Sequence, residues 1–168
     1  MRRLALIPAV LIVALVVALP ATARPSIVTS PRDFVLSSEQ CPNLATGTTL
    51  TGSGIERVIE TVRTNASGVT TIINATHTHG TTTDQDGNVY VFDYSNEFRV
   101  SNSLATPDVF TGLMTDHFSN SGRGPAKLNN GFVASITTDF TTFFTFDPIS
   151  SFGDPLNFDD GSARCDPL

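Results

Sequence analysis

The segment Tyr90-Val91-Phe92-Asp93-Tyr94-Ser95-Asn96-Glu97-Phe98-Arg99-Val100 decides the fold. Tyr90, Phe92, Tyr94, Phe98 and Val100 share one phase of a two-residue repeat, and Asp93, Ser95, Glu97 and Arg99 share the other. Side chains of a strand point alternately to opposite faces, so this spacing predicts a strand with one wall in a core and one in water. Asp84-Gln85-Asp86-Gly87-Asn88, just before it, carries the Asp-Gly pair favoured in tight hairpins. The two features together predict a hairpin whose first arm is Val69 to Thr83, with Val69, Ile73, Ala75, His77 and His79 in one phase and facing inward.

Outward from this hairpin the chain repeats the pattern. Thr48 to Thr51, bracketed by glycines, reads as a short strand. Ile55 to Thr64 has apolar residues at helical spacing, but its β-branched content and the following turn Asn65-Ala66-Ser67-Gly68 favour a strand. Asp108 to Ser119 alternates, with Phe110, Met114 and Phe118 opposing Val109, Leu113 and His117. After the loop Asn120 to Pro125 and the turn Asn130-Gly131, Phe132 to Phe146 reads as a long strand-like run, straight or bent in the middle, with Phe132, Ala134, Ile136, Phe140, Phe144 and Phe146 in phase. Strands joined by short turn signals, with no crossover helix, predict an all-β antiparallel up-and-down meander. Each strand has one apolar face, and closure into a six- to eight-stranded barrel would remove exposed edges. A β-sandwich is the alternative.

The first residues predict a compartment. Met1-Arg2-Arg3, the apolar run Leu4 to Leu19 and Pro20-Ala21-Thr22-Ala23 are the three parts of a secretory signal peptide over residues 1–23. The expected location is therefore secreted or associated with the cell envelope, with no membrane span once the signal is removed. Residues 24–46, with Pro25, Pro31 and the cluster Phe34-Val35-Leu36, read as a leader that is either a tail or an added edge strand, and residues 47–168 as a single domain. Without Arg2 and Arg3, eight basic residues face sixteen acidic ones, a formal charge of −8. Such a surface repels phosphate backbones, which excludes nucleic acid as a partner. Cys41 and Cys165 are the only cysteines, and in an exported chain they are expected to form one disulfide spanning nearly the whole domain.

Gly87-Asn88-Val89-Tyr90-Val91-Phe92, Thr115-Asp116-His117-Phe118 with Gly122-Arg123-Gly124-Pro125, and Asn130-Gly131-Phe132-Val133-Ala134 together resemble a family of small secreted bacterial proteins of uncharacterised function. The resemblance covers most of Cys41 to Leu168 and carries no functional residues with it. The meander is also similar in architecture to calycin-like barrels such as lipocalins, allene oxide cyclases and dirigent-type proteins. The chain has no tryptophan, so the Gly-x-Trp motif of lipocalins is absent.

Motifs for chemistry are few. His77 and His79, two apart on a strand, put two imidazoles on one side, and His117 could join them in a metal site. No Gly-x-Ser-x-Gly elbow exists, and Gly122-Arg123-Gly124-Pro125 lacks the Gly-Lys-Ser/Thr ending of a phosphate loop. Asp93 and Glu97 share an outward face with Arg99 and read as solvated. The leading expectation is a non-catalytic binding or envelope-associated interaction protein without a cofactor. Its partner is either a small apolar ligand in a pocket lined by Tyr90, Phe92, Tyr94, Phe98, Phe132, Ile136 and Phe140, or an extracellular protein met by loops near Arg123 and Lys127. The alternatives are a cyclase- or isomerase-like enzyme with Tyr90, Tyr94 or Asn96 orienting a substrate in a polar-floored cavity, and the metal site.

Overall fold

The computed structural model describes residues 24–39, 41 and 43–153. Seven strands follow one another along the chain: β1 (Ser26–Ser37), β2 (Thr49–Thr64), β3 (Thr70–Asp84), β4 (Val89–Asn102), β5 (Phe110–Gly122), β6 (Leu128–Thr138) and β7 (Phe144–Phe152). Each pairs antiparallel with the next, so the meander is one sheet in the order β1 to β7. The segment at 24–46 contributes a twelve-residue edge strand, β1, paired with β2 from Ser26↔Glu60 to Ser37↔Thr49.

Directly opposed residues of paired strands share a face. Tyr90, Phe92, Tyr94, Phe98 and Val100 of β4 therefore set the inner face of their neighbours through the register. Phe92 lies opposite Gly80 and Asn120, and Tyr94 opposite Thr78 and Phe118. The same register carries even-numbered residues to the inner face on every strand from β1 to β6. This reverses the expected orientation of β3. Its inner residues are Ile72, Asn74, Thr76, Thr78, Gly80, Thr82 and Asp84, and His77 and His79 face outward and are exposed. Threonines occupy both faces of β3, so its own sequence holds little preference, and the amphipathic β4 beside it decides.

The sheet is rolled. Phe34 on β1 and Phe92 on β4 meet edge to face with ring centroids 4.9 Å apart. Three strand steps in a flat sheet would separate their backbones by about 14 Å. The intervening strands carry glycine where the rings lie. A Cβ on Gly52 would overlap the Phe34 ring, and one on Gly80 would fall 2.7 Å from the Phe92 ring and overlap the Ser53 carbonyl. Phe34, Leu36, Leu50, Phe92, Phe118 and Leu128 fill this end of the roll, with Cys41, Leu44 and Ala126 packed on them from the loops. Asn43 donates to Asn130 Oδ1 at 3.2 Å and ties the β1–β2 loop to β6.

Closure into a complete barrel is not seen. Among the described residues, β1 pairs only with β2 and β7 only with β6. The first half of β1 and most of β7 are exposed on both faces, with Ile27 at 53%, Val28 at 58% and Ile149 at 61%. The expected strand over Phe132 to Phe146 also divides. β6 ends at Thr138 and β7 starts at Phe144, with Phe140 between them in the left-handed region at φ 60°. Cys41 is buried, while its expected partner Cys165 lies outside the described residues, as do the expected signal peptide and the chain after Gly153.

Candidate functional site

Along the inner face the side chains change character from one end of the roll to the other. Beyond the filled end comes a polar belt of Glu56, Thr76, Thr78, Tyr94, Asn96 and Asp116. Beyond that belt lies an open apolar cavity of about 460 Å³ whose walls include Val62, Ile72, Phe98, Met114, Phe140 and Phe144, with Glu60 and Asn74. Both β2 and β7 line it, although a flat sheet would hold them roughly 24 Å apart. The roll therefore extends to this end, where an apolar opening remains beside the buried Val100, Ile136 and Thr138.

The loop between β6 and β7 places one wall. Asp139 Oδ1 accepts hydrogen bonds from the backbone N–H groups of Thr141, Thr142 and Phe143 at 2.9, 2.7 and 3.1 Å, and its Oδ2 accepts from the Thr142 hydroxyl. The Thr142 hydroxyl and these N–H groups hold the Asp139 carboxyl well below the usual range. The Thr138 hydroxyl accepts from Phe140 N–H at 2.8 Å and donates to the Phe143 carbonyl at 2.9 Å. So braced, Phe140 projects its ring onto Phe98 and Phe110, with centroids at 5.9 and 5.2 Å. A bulky residue in the left-handed region costs about 1–2 kcal/mol and persists where the surroundings over-determine it, a circumstance concentrated at ligand sites.

Behind the lining, one inner-face step along β5 from Met114 and opposite Asn96, stands the buried Asp116. Its Oδ2 accepts the Tyr94 hydroxyl and the Asn96 Nδ2, both at 2.9 Å. Burial pushes the carboxyl above the ordinary value, against the lowering effect of the Asn96 and Tyr94 bonds and of His117. In the sequence Asp116 stands beside His117 and on the opposite face of the strand. The signal was there in the phase: Asp116 stands between Met114 and Phe118 on the apolar face of its strand.

The seven residues expected to line a pocket separate. Phe98 and Phe140 line the cavity. Tyr90 and Phe92 belong to the filled end, and Phe132 and Ile136 are buried at 3% and 1%. Tyr94 belongs to the belt. Tyr90 donates to Asp84 Oδ2 at 2.7 Å and accepts from Ala126 N–H at 3.1 Å, which pins the β5–β6 loop. Asn120 Nδ2 also donates to the Ala126 carbonyl, at 2.6 Å, so much of the expected recognition loop is fastened to the core while Arg123 and Lys127 stay exposed.

The histidines lie together on the outer face. His77 is opposite Ser95, and Ser95 is opposite His117, along one row across β3, β4 and β5. Two strand steps, about 10 Å, separate His77 from His117, and both line one outer-face depression with His79. His79 Nδ1 is 2.6 Å from Asp93 Oδ1 on the exposed surface, and His117 Nε2 is 2.9 Å from Asn129 Oδ1. Among the described residues, no group of three or more His, Cys, Asp or Glu side chains is placed to hold a metal ion. No helix of the described residues is long and apolar enough to cross a membrane. No family model, curated protein or solved structure matches this chain.

Proposed function

We propose that this chain is a secreted small-molecule-binding protein that holds an apolar ligand in the open end of its rolled sheet. One observation carries the reading: a continuous inner face is packed at one end and leaves at the other an opening whose wall is aromatic and aliphatic. Cavities of a few hundred cubic ångströms with apolar walls and a few polar groups are what small-molecule sites look like. The left-handed Phe140, held over the cavity by the Asp139 and Thr138 bonds, supports it. The basic, apolar and small-residue sequence of residues 1–23 supports export.

N-phenyl-1-naphthylamine, a neutral dye whose emission rises in apolar surroundings, tests the reading. A saturable, near-stoichiometric signal that is lost when Ile72→Trp fills the cavity is the expected result. Circular dichroism would confirm that the variant folds. A signal that never saturates, or that Ile72→Trp leaves intact, would reject the cavity as a ligand site.

The belt favours a second reading, because Tyr94, Asn96 and Asp116 form a hydrogen-bonded polar cluster next to the cavity, the kind of group a cyclase- or isomerase-like site uses. A carboxyl with a raised pKa beside an apolar site is a reasonable acid–base group. Turnover of a bound ligand, abolished by Asp116→Asn with binding retained, would establish it.

A further inference from the structure

We propose that the ligand of this cavity is an amphiphilic cation, an alkylammonium whose chain lies against Phe98, Met114 and Phe140 and whose head sits between Asp116 and Glu60. The inference rests on the reading that the cavity is a ligand site, and adds the charge of its occupant. On the inner face the described strands carry the acids Glu56, Glu60, Asp84 and Asp116, against one cation, Arg32. Arg32 lies 3.9 Å from Glu56 and opposite Gly54, toward the filled end. Asp84 belongs to that end too, held by Tyr90 and the β3–β4 turn.

The open end is therefore left with two acids and no cation. Glu60 is the charged residue of the lining, on β2. Asp116 is on β5, three strands away, one inner-face step beyond Met114 and behind the lining. Tyr94 and Asn96 both donate to Oδ2 of Asp116, so the carboxylate is oriented and Oδ1 keeps its acceptor capacity. An oriented carboxylate in a partly desolvated site attracts a hydrogen-bonding cation and repels a carboxylate head. The apolar walls require that this cation carry a chain or ring.

Competition against bound N-phenyl-1-naphthylamine at pH 7, below micellar concentrations, decides the matter with three probes of one chain length: decylammonium, decan-1-ol and decanoate. Decylammonium should compete at least about tenfold better than decan-1-ol, and decanoate worst, since hydrogen bonds to charged groups are worth that much in affinity. The amine-to-alcohol ratio within each protein is the readout, so a variant with weaker dye binding still reports. Asp116→Asn should bring that ratio near one, and Glu60→Gln should lower it less. Equal competition by the three probes would overturn the charge preference while the cavity stands. An amine preference that survives in the double variant would also overturn it, because the overall negative charge of the protein would then be the cause. Failure of the dye to bind would instead remove the cavity reading and this inference with it.

Discussion

Tyr90 with Asp84 and Tyr94 with Asp116 are one arrangement built twice on the inner face of β4, four residues apart, and the two copies behave oppositely. Asp84 is desolvated by burial, which opposes its charge. Yet it accepts Asn88 Nδ2 at 2.9 Å, the Tyr90 hydroxyl at 2.7 Å, and the N–H groups of Asn88 and Asp86 at 2.9 and 3.0 Å, and its carboxyl is held below the ordinary value. Asp116 accepts two bonds, both on one oxygen, and burial prevails. The tyrosine is common to both, so it does not set the charge state. The turn backbone does, by supplying donors at one end that a mid-strand position lacks. The first pair closes a hairpin, whereas the second is left with capacity to bind.

Breaking the two ends in turn should expose this contrast. Phe92→Ala, at a fully buried ring touching Phe34 and Phe118, should cost about 3–5 kcal/mol in denaturant unfolding. Phe98→Ala, half-buried at the open end, should cost only about 1–2 kcal/mol and weaken dye binding several-fold. Equal losses at the two positions would mean that both ends are packed alike.

Gly80→Ala should destabilise by about 1–3 kcal/mol, because its Cβ meets the Ser53 carbonyl and the Phe92 ring at the bend of the roll. An unchanged melting temperature would show that the roll does not depend on this close approach.

The carboxylates sharpen the comparison through pH. The folded pKa of Asp84 is depressed, so its stabilisation is present above the unfolded value of 3.8 and is lost as pH falls through the folded one. That of Asp116 is raised, so its contribution is fully present below 3.8 and is lost as pH rises through the folded value. In melting curves from pH 3 to 7, Asp84→Asn should lower the melting temperature at neutral pH and flatten the acid limb. Asp116→Asn should hold or raise it at neutral pH. Matching profiles for the two variants would refute the distinction.

The smallest effect on stability is expected at Phe140→Gly. Relief of the left-handed backbone, worth about 1–2 kcal/mol, offsets the lost contacts with Phe98 and Phe110, so the net change should stay within about 1 kcal/mol. Dye affinity should nonetheless fall.

The meander was legible in the sequence because β4 alternates almost throughout from Tyr90 to Val100, Val91 and Asn96 excepted, and glycine or asparagine marks most turns. Individual faces were less so. On β3 the inner positions are mainly threonine, asparagine and glycine, and a weakly patterned strand takes its orientation from its partner. The break after Thr138 was hidden because Asp139 and Thr141 keep the polar phase while Phe140 keeps the apolar one, and only the side-chain caps show that the backbone has turned. The polar cluster of Tyr94, Asn96 and Asp116 is not legible from one strand, because a lone acid on the apolar stripe of β5 gains its meaning only from the register that sets Asn96 opposite it.

Because every ladder joins neighbours in sequence, the polypeptide can lay down its hydrogen bonds in the order in which it is synthesised. Low separation between pairing partners favours rapid assembly. The step that cannot proceed locally is the curl that brings Phe34 onto Phe92, which must wait until the fourth strand exists. A nascent protein halted before that strand would be a flat ribbon with its apolar side uncovered.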